Sequence, residues 1–108
     1  MKLEKYLELQ KTIFGRCMAL SEKKGLDYSG NEDNLKNIKF SSFFGVVPEL
    51  GVLVRIGDKL QRVRQFVEVG ELKNEKFSDS ILDTINYLTL LLAVAIDLGH
   101  VKEEEVFG

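Results

Sequence analysis

The sequence contains one cysteine, one proline, one histidine and no tryptophan among its 108 residues. The single cysteine, Cys17, excludes an internal disulfide. His100 has no histidine or cysteine partner, so no zinc-ligand pattern is present. No stretch of alternating apolar and polar residues is long enough to indicate a strand, and P-loop, GxGxxG and Ser/His/Asp patterns are also missing. These absences favour an all-α chain and exclude the common nucleotide-binding loops.

Length and charge narrow the class of protein further. A chain of 108 residues fits one domain, residues 1–108. The net charge of −2 argues against non-specific electrostatic binding to nucleic acid. The longest apolar run, Leu90–Ile96, is far shorter than the roughly 20 residues that cross a bilayer. The N-terminal segment MKLEKYLELQ is amphipathic and lacks the features of a signal peptide. We therefore expect a cytoplasmic protein with neither nucleic acid nor membrane as a partner.

Apolar spacing predicts a first helix from about Lys2 to Lys24, with Gly25 as its C-terminal cap. Cys17 falls on its apolar stripe, and we expect it to be a small core residue rather than a reactive thiol. A second, shorter helix is predicted from about Glu32 to Phe44, with Asn31 as its N-cap. We expect the aromatic residues at its end to pack in the core rather than to form an exposed binding patch: Phe40, Phe43 and Phe44.

The third helix is predicted to begin at Pro48 and to run to about Val67, with Gly70 as its stop signal. Proline suits the first helical position because its missing N–H has no partner there. The apolar stripe of this helix consists of Val52, Ile56, Leu60, Val63 and Val67.

The fourth helix is predicted to start between about Asn74 and Ser78 and to run to Leu98, just before Gly99. Its main apolar stripe consists of Ile81, Ile85, Leu88, Leu92 and Ala95. From Leu90 onward the helix is apolar on nearly every side, and such a helix is buried on every side. One small chain has little material to surround it, so we expect a homo-oligomer, at least a dimer. The predicted fold is therefore an all-α four-helix bundle completed by oligomerisation.

The N-terminal half of the fourth helix carries an acidic face, made of Glu75, Asp79, Asp83 and Asn86. At about 100° per residue these side chains share one sector, opposite the main apolar stripe. Carboxylates one turn apart repel each other, and a divalent cation between them relieves the repulsion; oxygen ligands of this kind suit magnesium. The alternative is an acidic first turn that complements the helix dipole and faces water.

The third helix carries a basic face, made of Arg55, Lys59 and Arg62, with Asp58 beside them. Lysine and arginine on one rigid face can hold phosphates. The alternative is a solvated face with an exposed Asp58–Arg62 pair. A basic helix beside a metal-competent acidic helix is more specific, because metal-assisted phosphoryl chemistry needs both.

Two segments resemble the MazG-like, nucleotide-modification-associated family of small helical proteins. GVLVRIGDKLQRV, from Gly51 to Val63, is similar to the family motif V-R-I-x-D-K-x-x-R. NEKFSDSILDTINYL, from Asn74 to Leu88, is similar to E-S-x-x-D-x-x-x-D-x-x-N-Y. The upstream segment KGLDYSG, from Lys24 to Gly30, looks like the family element K-x-x-D-Y-G. The motif positions are occupied here by Arg55, Asp58, Lys59, Arg62, Glu75, Asp79, Asp83, Asn86 and Tyr87.

The resemblance implies the all-α nucleoside triphosphate pyrophosphatase fold, in dimers or tetramers. It implies Mg²⁺ held by carboxylates, and attack of water on the α-phosphate to give a nucleoside monophosphate and pyrophosphate. By this resemblance the metal ligands are Asp79, Asp83 and Glu75, which are also the expected catalytic residues, and Asp58 is a further ligand. By the same resemblance the basic face of the third helix binds the phosphates, while Asn86 and Tyr87 orient the sugar or base.

Two positions depart from the family pattern. The family's E-x-x-E pair has no counterpart, since the third helix offers only Glu49 and Asp58, nine residues apart. Lys76 occupies the position of the usual serine after the first glutamate. Two further hypotheses therefore stand beside the pyrophosphohydrolase: a nucleotide-binding sensor with weak catalysis, and a non-enzymatic helical interaction module.

Overall fold

Every regular secondary-structure element in the described part of the chain is a helix. The computed structural model describes residues 1–29 and 35–108, with the backbone alone for residues 26–29, 36 and 37. Within these residues there is no strand, which confirms the predicted all-α class. The predicted helix start at Asn31 and Glu32 lies outside the described residues. The helices are α1 (Leu3–Ser29), α2 (Lys36–Lys39), a 3-10 helix (Phe40–Phe44), α3 (Pro48–Val69), α4 (Phe77–Asp97) and α5 (Glu104–Phe107).

Local signals set the limits of α3 and α4 as predicted. Pro48 is the first residue of α3. Gly70 ends α3 in the left-handed conformation at φ 88°, and its N–H donates to the Phe66 carbonyl at 2.7 Å. Gly99, at φ 79°, follows the end of α4. Glycine adopts these angles without the Cβ clash that other residues meet, so its position marks the helix end.

The predicted end of α1 is wrong. The helix passes through Gly25 and continues to Ser29. A glycine caps a helix only where the backbone turns left-handed, and Gly25 is not among the glycines with positive φ. The cost of a helical glycine, roughly 1 kcal/mol relative to alanine, is too small to end a helix by itself.

The core lies mainly between α3 and α4, two adjacent helices that run antiparallel across the short link 70–76. Stacked rings of Phe66 and Phe77, with centroids 4.1 Å apart, close this hairpin at its turn. The buried cluster is small and consists of Leu35, Val52, Ile56 and Val94. Ile38, Tyr87, Leu90, Leu91 and Ala93 pack against it.

Most of the main apolar stripe predicted for α4 does not face this core, and of its five residues only Ala95 is buried. Ser80 and Val94 are buried, whereas Leu88 is 50% and Leu92 40% exposed. At about 100° per residue, Ser80, Asp83 and Val94 lie on the α3 side of α4, which is the side of the predicted acidic face. We call Ile81, Ile85, Leu88 and Leu92 the outer stripe. Periodicity identified two opposite faces correctly, but the more polar one packs within the chain.

The apolar stripe predicted for α3 is only partly buried. Val52 and Ile56 are in the core, whereas Leu60 and Val67 are exposed. Each four-residue step advances about 40° around a helix, so these two side chains lie at the edge of the contact face. Lys59 and Phe66 occupy the centre instead.

The predicted burial of the phenylalanines is also wrong. Phe40, Phe43 and Phe44 are 60%, 76% and 70% exposed, and we call them the phenyl cluster. A 3-10 helix repeats every three residues, so Phe40 and Phe43 point to the same side. Ser41 takes the inner position, and its hydroxyl donates to the carbonyls of Ile38 and Val46.

The chain exposes more surface than a compact monomer of its mass. Its accessible area is 8299 Å², against roughly 6,100 Å² expected at 12.3 kDa, an excess of about 2,200 Å². Its radius of gyration is 15.7 Å, against about 13 Å for a compact domain of this length. Many large apolar side chains are exposed, including Leu88 and Leu92 of the outer stripe and several residues of α1: Leu3, Tyr6, Leu7, Phe14 and Met18.

Among the described residues, α4 is the one helix that is long and apolar enough to cross a membrane by length and composition. Core helices of soluble proteins meet the same criterion.

Candidate functional site

The hairpin of α3 and α4 places the predicted basic and acidic faces against each other. Lys59 Nζ lies 2.9 Å from Asp83 Oδ2. The two side chains are only 17% and 18% exposed, so the pair is largely shielded from water. Lys59 occupies the α3 face that continues Val52 and Ile56, which explains why a lysine is held inside a helix contact.

A second contact joins the two faces one turn further along. Arg62 Nη1 donates to Glu75 Oε1 at 3.0 Å. The buried hydroxyl of Ser80 donates to the same carboxylate oxygen at 2.9 Å. Glu75 lies in the link before α4 rather than in a helix, so its carboxylate is held in position by these two hydrogen-bond donors.

Helix α1 adds two cations to the same acidic face. Arg16 Nη2 lies 3.9 Å from Asp79 Oδ1, and Lys24 Nζ lies 3.9 Å from Asp83 Oδ1. Both of these contacts are partly exposed. We call the whole set the charged cluster: Arg16, Lys24, Lys59, Arg62, Glu75, Asp79 and Asp83.

Cys17, which lies between Arg16 and Lys24 in the sequence, contacts α4 directly. It is buried, as predicted, with its Sγ 3.8 Å from the Leu82 carbonyl. Burial raises the pKa of the thiol, the Arg16 charge lowers it and the Asp83 charge raises it. The group is therefore a thiol at neutral pH and a poor nucleophile.

The charged cluster has four cations and three carboxylates, although the whole chain has a net charge of −2. Arg55 is exposed on α3, one turn before Lys59, and forms no ion pair with the described residues. A surface with surplus positive charge attracts a polyanion.

Among the described residues, the other predicted site residues take no part in the ion pairs of this cluster. Asp58 is exposed on α3. Asn86 is half-buried on α4, and Tyr87 packs against the hydrophobic core. Glu49 lies at the opposite end of the hairpin, where its carboxylate contacts His100 Nδ1 at 2.9 Å.

The described residues contain no group of three or more histidine, cysteine, aspartate or glutamate side chains placed to hold a metal ion. The carboxylates of the charged cluster contact cations instead: Lys59 and Lys24 for Asp83, Arg62 for Glu75, and Arg16 for Asp79. In this arrangement the cations can pair with an incoming anion in place of the carboxylates, and so neutralise and orient that anion.

Sequence reasoning missed Arg16, Lys24 and Ser80. The two cations belong to the first helix, and nothing in their spacing indicates which helix they meet. Ser80 carried a weak signal, since it is a small polar residue within the acidic half of α4. Its burial depends on the approach of the link that carries Glu75.

No family model matches this chain, and neither a curated protein nor a solved structure matches it. The MazG-like assignment therefore stays a prediction from the motifs quoted above.

Proposed function

We propose that the protein is a magnesium-dependent nucleoside triphosphate pyrophosphohydrolase, which converts a nucleoside triphosphate to the monophosphate and pyrophosphate. One observation carries the proposal: the basic face of α3 meets the acidic face of α4 directly, at Lys59–Asp83 and Arg62–Glu75. Phosphoryl chemistry needs cations for the phosphates beside carboxylates for the metal. The motif resemblance favours the same reaction.

The carboxylates suit a magnesium ion that arrives with its substrate. Proteins usually hold Mg²⁺ through one or two carboxylates, with phosphates and waters completing the shell. Asp79 and Asp83 lie one turn apart on α4 and satisfy that requirement. Glu75 is a third candidate, while the exposed Asp58 lies on α3. When bound, the ion supplies charge neutralisation and polarises the phosphate oxygens.

The residues of the chain then have distinct tasks. Lys59 and Arg62 leave their carboxylate partners and pair with the phosphate oxygens of the substrate. The phosphates thus replace carboxylates as the partners of these cations. Arg55 adds a guanidinium on the same face that has no ion-pair partner within the described part of the chain. Ser80 keeps Glu75 in place when Arg62 turns to the substrate, because its hydroxyl donates independently. Asn86 lies on the acidic face one turn beyond Asp83, within reach of the sugar.

A second candidate function, nucleotide binding with little hydrolysis, is favoured by the ion pairs themselves. Every carboxylate of the charged cluster already contacts a cation. A carboxylate engaged in this way binds a metal ion less readily, while the surplus positive charge still attracts phosphates.

We also propose that the protein acts as a homodimer or homotetramer in the cytoplasm. A standard interface removes roughly 800 Å² from each partner, and the excess surface of this chain exceeds that value. The outer stripe of α4 is the natural contact. Burial in a partner, rather than in lipid, suits a helix whose Asp79 and Asp83 pair with neighbouring helices. If the charged cluster binds no nucleotide, this apolar surface instead favours the interaction-module hypothesis.

The test compares four forms of the full chain: wild type, Asp79→Asn, Asp83→Asn and the control Glu68→Gln. Among the residues that the structure describes, Glu68 pairs only with Arg64, on the exposed side of α3 and away from the charged cluster. We expect magnesium-dependent pyrophosphate release from the wild type and the control, and none from the two asparagine variants. Release that survives in both asparagine variants places the chemistry elsewhere. Nucleotide binding without turnover in the wild type favours the second candidate.

A further inference from the structure

The phenyl cluster is an exposed aromatic surface with a defined internal geometry. Phe40 and Phe43 stack with centroids 5.4 Å apart, and Phe44 meets both rings edge-on at 5.7 and 5.2 Å. Contiguous exposed apolar patches on soluble proteins commonly mark binding sites. The rings hold one another in position, so they form a pre-shaped surface.

Beside these rings lies a pocket of about 200 Å³ between the 3-10 helix and α3. Its lining consists of Ile38, Phe40, Ser41, Phe44, Gly51, Val52 and Arg55. Gly51 allows α3 to approach closely, since a Cβ there would lie 3.2 Å from the Ser41 side chain. Ligand pockets usually span roughly 300–1,000 Å³, so this one suits a single ring system rather than a whole nucleotide.

Arg55 connects the pocket to the charged cluster. It lines the pocket and shares the face of α3 with Lys59 and Arg62. At about 1.5 Å per residue, these two lie roughly 6 and 10 Å further along the helix axis. A ligand that fits this surface has a planar ring at one end and several negative charges at the other.

We propose that the pocket beside Phe40 and Phe44 receives the base of the nucleoside triphosphate, with Arg55 at the junction between base and phosphates. The inference rests on the proposed nucleotide function and names the base site that this function requires. Aromatic rings stack on any nucleobase, and an arginine beside them contributes both charge and planarity. The row of cations distinguishes this ligand from an uncharged apolar one.

The test measures the base contribution separately from the phosphate contribution. Isothermal titration of the full chain, with Mg²⁺ present, uses the α,β-methylene analogues of ATP, GTP, CTP and UTP, which the proposed reaction cannot cleave, and inorganic tripolyphosphate as the probe without a base. The variant is Phe44→Leu, with Phe107→Leu as the control. Phe107 is an equally exposed phenyl group on α5, outside the pocket. Because both rings are exposed, circular dichroism should show unchanged folding.

We expect the wild type to bind at least one nucleotide more tightly than tripolyphosphate. Phe44→Leu should reduce that preference about tenfold, the loss of one stacked base, and leave tripolyphosphate affinity unchanged. Phe107→Leu should change neither. If tripolyphosphate binds but the preference is absent, or survives in Phe44→Leu, the base site is refuted and the phosphate site stands. If the wild type binds neither probe, the proposed function fails as well.

Discussion

Replacing Asp83 by asparagine should destabilise the fold by about 2 kcal/mol, whereas the same change at Asp79 should cost less than about 1 kcal/mol. The difference follows from shielding. Asp83 and Lys59 are each less than one fifth exposed and 2.9 Å apart. Asp79 is 46% exposed, and its partner Arg16 lies at 3.9 Å.

The magnitudes are bounded from both sides. Breaking a fully buried ion pair costs roughly 3–5 kcal/mol, because one charge is left without a partner. A hydrogen bond to a charged group contributes about 1.5–3 kcal/mol, and the residual exposure of Lys59 keeps the value for Asp83→Asn in that lower range. An exposed pair contributes at most about 1 kcal/mol, and the asparagine at position 79 also loses a small helix-dipole term.

Urea unfolding followed by circular dichroism measures both values, at one fixed protein concentration because self-association contributes to stability. A double-mutant cycle with Lys59→Met isolates the pair. We expect a coupling of about 1–2 kcal/mol between positions 59 and 83. Equal destabilisation by Asp79→Asn and Asp83→Asn, or no coupling to Lys59, would refute the shielded pair and with it the close contact between the two faces.

Two further predictions concern residues outside the charged cluster. Leu88→Glu, on the outer stripe, should leave the helical content intact and shift the protein to monomer, because burying a charge in an apolar interface is costly. Sedimentation velocity measures the oligomeric state. An oligomer that persists in the variant, or a wild type that is already monomeric, would contradict this prediction. Cys17 should react with iodoacetamide more slowly than a free thiol at every pH between 7 and 9, since its raised pKa reduces the thiolate fraction and its burial blocks access. Mass spectrometry measures the rate, urea-unfolded protein is the control, and equal rates in both states count against a buried thiol.

The helix ends were predictable where one residue determines the backbone. Pro48, Gly70 and Gly99 mark the limits of α3 and α4 because their preferred dihedral angles are properties of the residues themselves. Gly25 shows the limit of that reasoning. A glycine tolerates a helix as well as a turn, so its presence alone did not decide where α1 ends.

The packing partners were much less predictable. The spacing on α4 defined an apolar and an acidic face, but not which one meets α3. Lys59 gives Asp83 a partner inside the contact, and Val94 on the same face packs in the hydrophobic core, so the face that carries the acidic residues is the inner one. The phenyl cluster was misplaced for a similar reason, because the 3-10 geometry of residues 40–44 directs Ser41 inward.

For the candidate site, the sequence supplied the two faces of α3 and α4 but not the cations from α1. Lys59, Arg62, Glu75 and Asp83 meet as opposite charges on neighbouring helices. Arg16 and Lys24 reach the cluster because α1 packs on α4, where Cys17 contacts Leu82, a residue 65 positions further along the chain.

The reaction itself is tested most directly by product analysis. The wild-type chain is incubated with Mg²⁺ and each nucleoside triphosphate in water enriched in ¹⁸O, and the products are separated and weighed by mass spectrometry. We predict nucleoside monophosphate and pyrophosphate in equal amounts for at least one substrate, with the ¹⁸O in the monophosphate because water attacks the α-phosphate. Formation of diphosphate and inorganic phosphate, or no magnesium-dependent product from any nucleotide, would contradict the proposed pyrophosphohydrolase.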